Sequence, residues 1–364
     1  MKTTTCFAGA LALATSLTPF TAALAHDAYA DDHAPIGVMA DHAHGKGEIM
    51  FSLRAMHMEM EGNKIGGDDM PPDTIVTTIP NRFAGMPMQP PTLRSVPQAM
   101  RADMFMFGMM YAPSDAVTFA VMGNYTEKEM DMTVYQGGMG TTQLGGFSTS
   151  SKGFGDVKAV AIIPLMGHPD KKADNRNELY LRAGVNVPVG SNTKTAQVLT
   201  PMNTTPTMRM PYGMQLGTGT WDFEPALTYK MRRGKFGLGV QGSASIKLGT
   251  NDQGYSYGDS YEGTAWLSYR PKQWVSLSGR VKARTMGPVD GIDPAIMGPA
   301  QGANPDYYGG ERVDLIAGVN FVATHGSLAG HRLGIELGKP IYQDLNGPQL
   351  GGDWMLTVGW QKAY

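Results

Sequence analysis

Cysteine is almost absent from this chain of 364 residues, the only one being Cys6. Everything after residue 25 therefore lacks thiols, which excludes a disulfide-stapled fold, paired-cysteine zinc sites and cysteine nucleophiles there. Charge is scarce at 17% and nearly balanced, with a net charge of -2 and a pI near 6.4. No basic field exists to hold a phosphate backbone, so nucleic acid is not an expected partner. Beyond the first 25 residues no apolar run approaches the roughly 18 residues of a membrane-spanning helix, which excludes a polytopic helical membrane protein. What the chain has in excess is glycine (47), proline (24) and methionine (27). The first two are the poorest helix formers, so an all-α or α/β architecture is not expected.

Residues 1–25 read as a secretory signal peptide: Met1-Lys2 is the positive start, Phe7 to Leu17 the apolar core, and Ala23-Leu24-Ala25 the cleavage site. An exported chain without disulfides needs a fold that is stable by itself, and a closed hydrogen-bonded barrel is one. Period-two alternation supports it. Leu179, Leu181, Ala183, Val185 and Val187 alternate with polar or small residues, and so do Phe236 to Leu248 and Val275 to Ala283. Segments with this rhythm fall near 47–60, 101–112, 115–130, 153–165, 177–188, 214–230, 235–249, 256–270, 273–285, 308–322, 330–342 and 352–364. Short links at 112–115, 232–234 and 270–273 contrast with long ones at 61–100, 131–152, 188–213 and 286–307. The expected fold is all-β: an antiparallel transmembrane β-barrel of about twelve strands, with short periplasmic turns and long extracellular loops, in the outer membrane. Residues 26–46 form a periplasmic leader and 47–364 the barrel. Leu356, Val358, Trp360 and the final Tyr364 resemble the terminal signal read by the barrel assembly machinery, with Lys362 as a departure. Trp266, Tyr269, Trp274, Trp354 and Trp360 suit an aromatic girdle in outer-membrane lipid.

Catalytic motifs are missing. There is no G-x-S-x-G or H-E-x-x-H, and His168, His325 and His331 fall near expected periplasmic turns, so the chain is not read as an enzyme. Gly237-Leu238-Gly239-Val240-Gln241-Gly242 has dinucleotide-loop spacing, yet the alternation continues through it, where such a loop must open a helix.

Histidine and methionine carry the unusual chemistry. His26, His33, His42 and His44 lie close together with Asp27, Asp31, Asp32, Asp41 and Met39, a donor set suited to copper or zinc. The plain alternative is a solvated leader. Fifteen of the 27 methionines fall between Met50 and Met132, and M-x-M recurs at Met56-Met58-Met60, Met86-Met88, Met104-Met106, Met130-Met132 and Met208-Met210. Residues two apart share a strand face, so each pair offers neighbouring thioethers for Cu(I), or an adaptable apolar surface. The candidate metal residues are His33, Met39, His42, His44, Met56, Met58 and Met60. Charged residues alternating with apolar ones cost about 2–4 kcal/mol against lipid and must face inward. On that basis Arg54, Arg182, Asp222, Glu224, Glu262, Arg270, Arg280, Lys282, Arg284, Arg312, Asp314, Arg332 and Glu336, with Glu178, are expected to line the lumen.

The segment His33-Ala34-Pro35-Ile36-Gly37-Val38-Met39-Ala40-Asp41-His42-Ala43-His44-Gly45-Lys46-Gly47-Glu48, leading into Met50 to Met60, resembles a family of bacterial outer-membrane β-barrels labelled as transporters and related to the proteins of meta-pathway phenol degradation. Phe107-Gly108-Met109-Met110-Tyr111-Ala112-Pro113-Ser114-Asp115 fits the same pattern. The resemblance implies an outer-membrane location and passage of small solutes, apolar ones among them, and supplies no functional residue. Three functions follow as expectations: a channel or transporter for such solutes, a copper- or other metal-binding barrel using the N-terminal His/Met region, or a structural barrel scaffolding a partner.

Overall fold

The computed structural model describes residues 29–167 and 174–364. The signal-peptide reading, Cys6, His26, Asp27 and His168 lie outside the described residues. Eleven strands close into one antiparallel ring: β1 (Ile49–Gly66), β2 (Ser95–Ser114), β3 (Val117–Tyr135), β4 (Val157–Met166), β5 (Asn175–Val187), β6 (Ala226–Arg233), β7 (Phe236–Lys247), β8 (Ser260–Lys272), β9 (Val275–Met286), β10 (Gly310–Val322) and a final element, His331–Ala363. This last element of 33 residues doubles back. Residues 332–345 pair with β10 and residues 345–363 with β1, while Trp360 bonds His331 and Gly352 bonds Gln343 across the fold. Its arms, β11 (332–345) and β12 (349–363), bring the wall to twelve staves, as the sequence rhythm implied. Closure leaves the ring no unpaired edge, and no described helix is long and apolar enough to cross a membrane.

Two-residue turns at 115–116, 234–235 and 273–274 mark one end of the barrel. The first and last strands meet there too, where Ile49 and Tyr364 exchange backbone hydrogen bonds. Long links gather at the opposite end, so the two are called here the turn end and the loop end. Phe51, Leu53, Phe107, Leu181, Val240, Leu267, Leu277, Leu315 and Leu337 are exposed on the outer wall. At the turn end Trp274 stacks on Phe321 with ring centroids 6.1 Å apart, and Phe236 meets Tyr269 at 5.1 Å. From Tyr364 to Trp354 is ten residues, which at about 3.4 Å each and a tilt near 45° gives a band about 25 Å tall. Above it the outward residues turn polar: His57 bonds Asp103 at 2.7 Å, and Arg101 pairs with Glu129.

Three local expectations are corrected. The stretch 131–152 is not a loop: β3 runs on to Tyr135 and pairs with an added strand, Gln143–Phe154. That strand is rich in Gly, Ser and Thr and has no apolar alternation to reveal it. The segment 214–230 is not one strand, because Pro225 has no N–H for the ladder and only Asp222–Phe223 and Ala226–Arg233 pair. Trp266 is not in the girdle; it points inward and packs on Ala34 and Val38. The glycine-spaced segment 237–242 lies inside β7, a strand, as its alternation required.

Candidate functional site

Residues 29–44 of the leader lie inside the lumen at the turn end. Its acids, Asp31, Asp32 and Asp41, bracket a run of Ala, Pro, Ile and Val, which explains how it packs: acids meet cations projecting from the wall, and apolar residues fill between them. Arg232 on β6 sits 2.8 Å from both Asp31 and Asp32, Arg270 on β8 is 3.3 Å from Asp31, and Arg176 on β5 is 3.0 Å from Asp32. The Arg270 guanidinium lies 3.6 Å from the centre of the Tyr29 ring, a cation–π contact. Arg332 donates to the carbonyls of Tyr29 and Ala30 at 3.1 and 2.7 Å. Gly37 N–H donates to Glu336, which Arg280 grips through two bonds of 2.9 Å. Arg182 and Gln241 donate to the Met39 carbonyl, and Arg54 meets the Met39 sulfur. His44 N–H donates to Thr118 on β3 at 2.8 Å. These anchors come from staves around most of the ring, and the leader is buried from Ala30 to His44 apart from partly exposed Asp31, Gly37 and Met39.

Ile36 fits a notch between β11 and β12 that only glycine leaves open. A Cβ on Gly334 would stand 2.6 Å from Ile36 Cβ, and one on Gly359 would stand 2.5 Å from Ile36 Cγ1.

Asp41 is fully enclosed, accepts from Ala34 N–H at 2.9 Å and lies 2.8 Å from His42 and 3.2 Å from Lys230. Burial alone would raise its pKa; His42 and Lys230 outweigh burial and hold the carboxyl well below its ordinary 3.8. A depressed carboxyl pKa stabilises the folded state above the ordinary value and loses that contribution only as pH falls through the lowered one. The Asp41→Asn variant is therefore expected to hold its leader less firmly than wild type at neutral pH. That gap should persist down to about pH 4 and close only below it, as read by protease cleavage of the leader across a pH series.

Beyond the leader the lumen has two unlike walls. On β1, β2 and β3 the inward residues are largely methionine. Seven successive rows each carry at least one: Met50 with Met110; Met122; Met106; Met56 with Met104; Met58; Met60 with Met100 and Met130; and Met132. Met355 on β12 joins beside Met58. At the turn end Met50 and Met110 pack against Ala40 and Ala43 of the leader. At the loop end Met130 and Met132 line a cavity of about 600 Å³, walled also by Met88, Phe147, Met208, Ile296, Met297 and several prolines.

The remaining wall is charged. Lys247 pairs with Asp222 at 2.7 Å, Lys158 with Glu224 at 2.5 Å, and Lys282 and Arg312 both with Asp314 at 3.2 and 2.5 Å. Glu262 and Arg284 are register partners on the inward faces of β8 and β9. With Arg54, Arg182, Arg270, Arg280, Arg332 and Glu336 at the leader, all thirteen charged positions named from sequence fall on inward faces or in the buried loop junction at Asp222–Glu224. Sequence reading missed Arg176, Lys230 and Arg232 as leader anchors. Lys230 and Arg232 alternate around Met231, which is the inward signal, but Arg232 also fits the short link at 232–234.

The seven candidate metal residues do not form one site. His33, His42 and His44 meet ring to ring near the turn end, the first pair tilted and the second edge-on, with centroids 4.0 and 4.8 Å apart. Met39 lies at the Arg54–Arg182 pair, and Met56, Met58 and Met60 climb β1 toward the loop end. Among the described residues no group of three or more His, Cys, Asp or Glu side chains is arranged to hold a metal ion.

Among solved structures, the chain is similar to an outer-membrane channel from Pseudomonas putida F1, with a TM-score of 0.55 at 13% identity over 90% of this chain and 100% of that one. The fold is that of an outer-membrane β-barrel. Weaker likenesses are to the P. putida toluene transporter TodX (TM-score 0.41, 9% identity, 87% of this chain and 90% of that one) and to a Pseudomonas aeruginosa FadL homologue (0.41, 8%, 87% and 90%). No family model matches the chain, and no curated protein matches its sequence.

Proposed function

We propose that this protein is an outer-membrane channel for small apolar solutes, with the loop-end cavity as the capture site outside the cell and the leader as a plug facing the periplasm. The observation that carries this reading is the continuous methionine wall joining cavity to plug. A cavity of about 600 Å³ suits a one- or two-ring molecule, and thioether side chains adapt to ligands of varied shape. The exposed outer wall is mostly Leu, Val, Phe, Ile, Tyr and Trp with few methionines, Met109, Met166 and Met231 among them, so methionine is concentrated where a solute would pass.

Met208 lines the cavity from the loop segment Thr207–Arg209, away from the barrel wall. Met208→Asp places a carboxylate in an apolar cavity, and about 1.4 kcal/mol of lost solute binding already lowers capture tenfold. Entry of radiolabelled toluene into cells carrying the variant should fall by about that factor or more, while heat-modifiable gel migration stays that of a folded barrel. Equal toluene entry in cells with and without the wild-type protein would overturn the proposal.

A further inference from the structure

The methionines at the loop end do more than line a path. Met130 and Met132 stand two apart on β3 and share its inward face, and Met210 and Met214 reach them from either side of Tyr212 in a link that folds back into the barrel mouth. All four are buried, and partly buried Met100 packs beside them. The link is pinned through its backbone: Gln215 donates to the Met210 carbonyl at 2.8 Å, Ser151 to the Met214 carbonyl at 2.7 Å, and Lys128 to the carbonyls of Gly213 and Gln215 at 2.9 and 2.7 Å. Thioethers from two distant segments are thus held together on a fixed frame.

A cluster that only filled space would be better made of leucine, since burying methionine freezes more rotamer freedom. A second observation points to a ligand with polar affinity. Thr149, the register partner of Met130, is buried against the same cavity, and its hydroxyl has no hydrogen-bond partner. An apolar solute would leave that hydroxyl unsatisfied, whereas a cation or its bound water would not. Of the cations near the cluster, Arg209 lines the cavity and is neutralised by Asp293 at 2.8 Å, and the Lys128 ammonium is held on the carbonyls of Gly213 and Gln215.

We propose that Met130, Met132, Met210 and Met214 form a binding site for a soft monovalent metal ion, Cu(I) or Ag(I). Neutral sulfur donors favour such ions over zinc, calcium or magnesium, which prefer nitrogen or oxygen. The ion binds without change of oxidation state. The site lies at the opposite end of the lumen from the histidines of the leader. It stands independently of the solute reading, because leucine preserves an apolar wall and removes only the sulfur.

The test is calorimetric titration of the purified full-length barrel with silver nitrate, in buffer free of chloride and thiols. Wild type should bind Ag(I) at about micromolar affinity or tighter, and the double variant Met210→Leu/Met214→Leu should lose about a hundredfold. Met104→Leu/Met106→Leu, on the wall away from the cluster, should keep wild-type affinity. Toluene entry should survive in the Met210→Leu/Met214→Leu protein, which separates this site from the channel reading. Wild-type affinity no tighter than millimolar, or affinity unchanged in Met210→Leu/Met214→Leu, would overturn the site. Should that variant fail to show folded gel migration, X-ray absorption of the silver-loaded wild type decides: a shell dominated by sulfur supports the site, and a shell of nitrogen or oxygen without sulfur removes it.

Discussion

Removal of residues 29–44 turns a closed barrel into a conducting one. In planar bilayers the intact protein is expected to show little steady current and the deletion variant a stable conductance at least several-fold larger. The expectation rests on where the leader lies: it fills the turn end of the lumen, buried along nearly its whole length and bonded to staves around most of the ring. A barrel of eight strands is filled by its own side chains, but twelve staves enclose more space, so on the proposed reading the leader rather than the wall closes this lumen. Its loss leaves Arg176, Arg232, Arg270 and Arg332 without their leader partners, yet water enters the emptied space and hydrates them. The barrel should therefore persist, with unchanged heat-modifiable migration, as its pore opens. A deletion variant that folds and stays closed would show that the wall itself occludes the lumen.

Arg232→Met is expected to release the leader without deleting it. The Arg232 side chain contacts two acids at 2.8 Å, and all three side chains are almost fully buried. Removing one partner of a buried ion pair strands the other charge and costs about 3–5 kcal/mol. Arg270 and Arg176 retain part of the hold on Asp31 and Asp32, so the leader should open intermittently rather than leave. Current should flicker, and protease should cut the leader at least tenfold faster than in wild type, the factor that about 1.4 kcal/mol supplies. The triple variant Asp31→Asn/Asp32→Asn/Arg232→Met should recover part of the lost docking, because neither acid is then left charged and buried, while Arg270 and Arg176 keep Asp174 and Glu178 as partners. A triple variant cut faster than Arg232→Met would mean that ion pairing does not seat the leader.

The barrel was legible because a wall with lipid on one side and a polar lumen on the other writes a period of two into each strand, as in Leu267 against Thr264, Trp266 and Arg270. The same rule read the methionines, since Met56, Met58 and Met60 can share a face only on an extended strand. The added strand Gln143–Phe154 stayed hidden because it stands beyond the apolar band, where neither face needs to be greasy. The seat of the leader could not be read locally. Asp31-Asp32 and Ala34 to Ala43 have no periodicity, and their partners Arg176, Arg232 and Arg270 lie more than a hundred residues away. A solvated arm would have the same composition. Met210 and Met214, four apart in a link, gave no strand signal either; their meeting with Met130 and Met132 comes from tertiary folding alone.

On the proposed reading, solute moves along the methionine wall only when the leader yields. Ile36→Cys/Gly359→Cys tests it most directly, since these positions face each other in the notch and the described chain has no other cysteine. Toluene entry should cease in oxidised cells carrying this pair and return on reduction. Equal entry in the oxidised and reduced states would contradict the account.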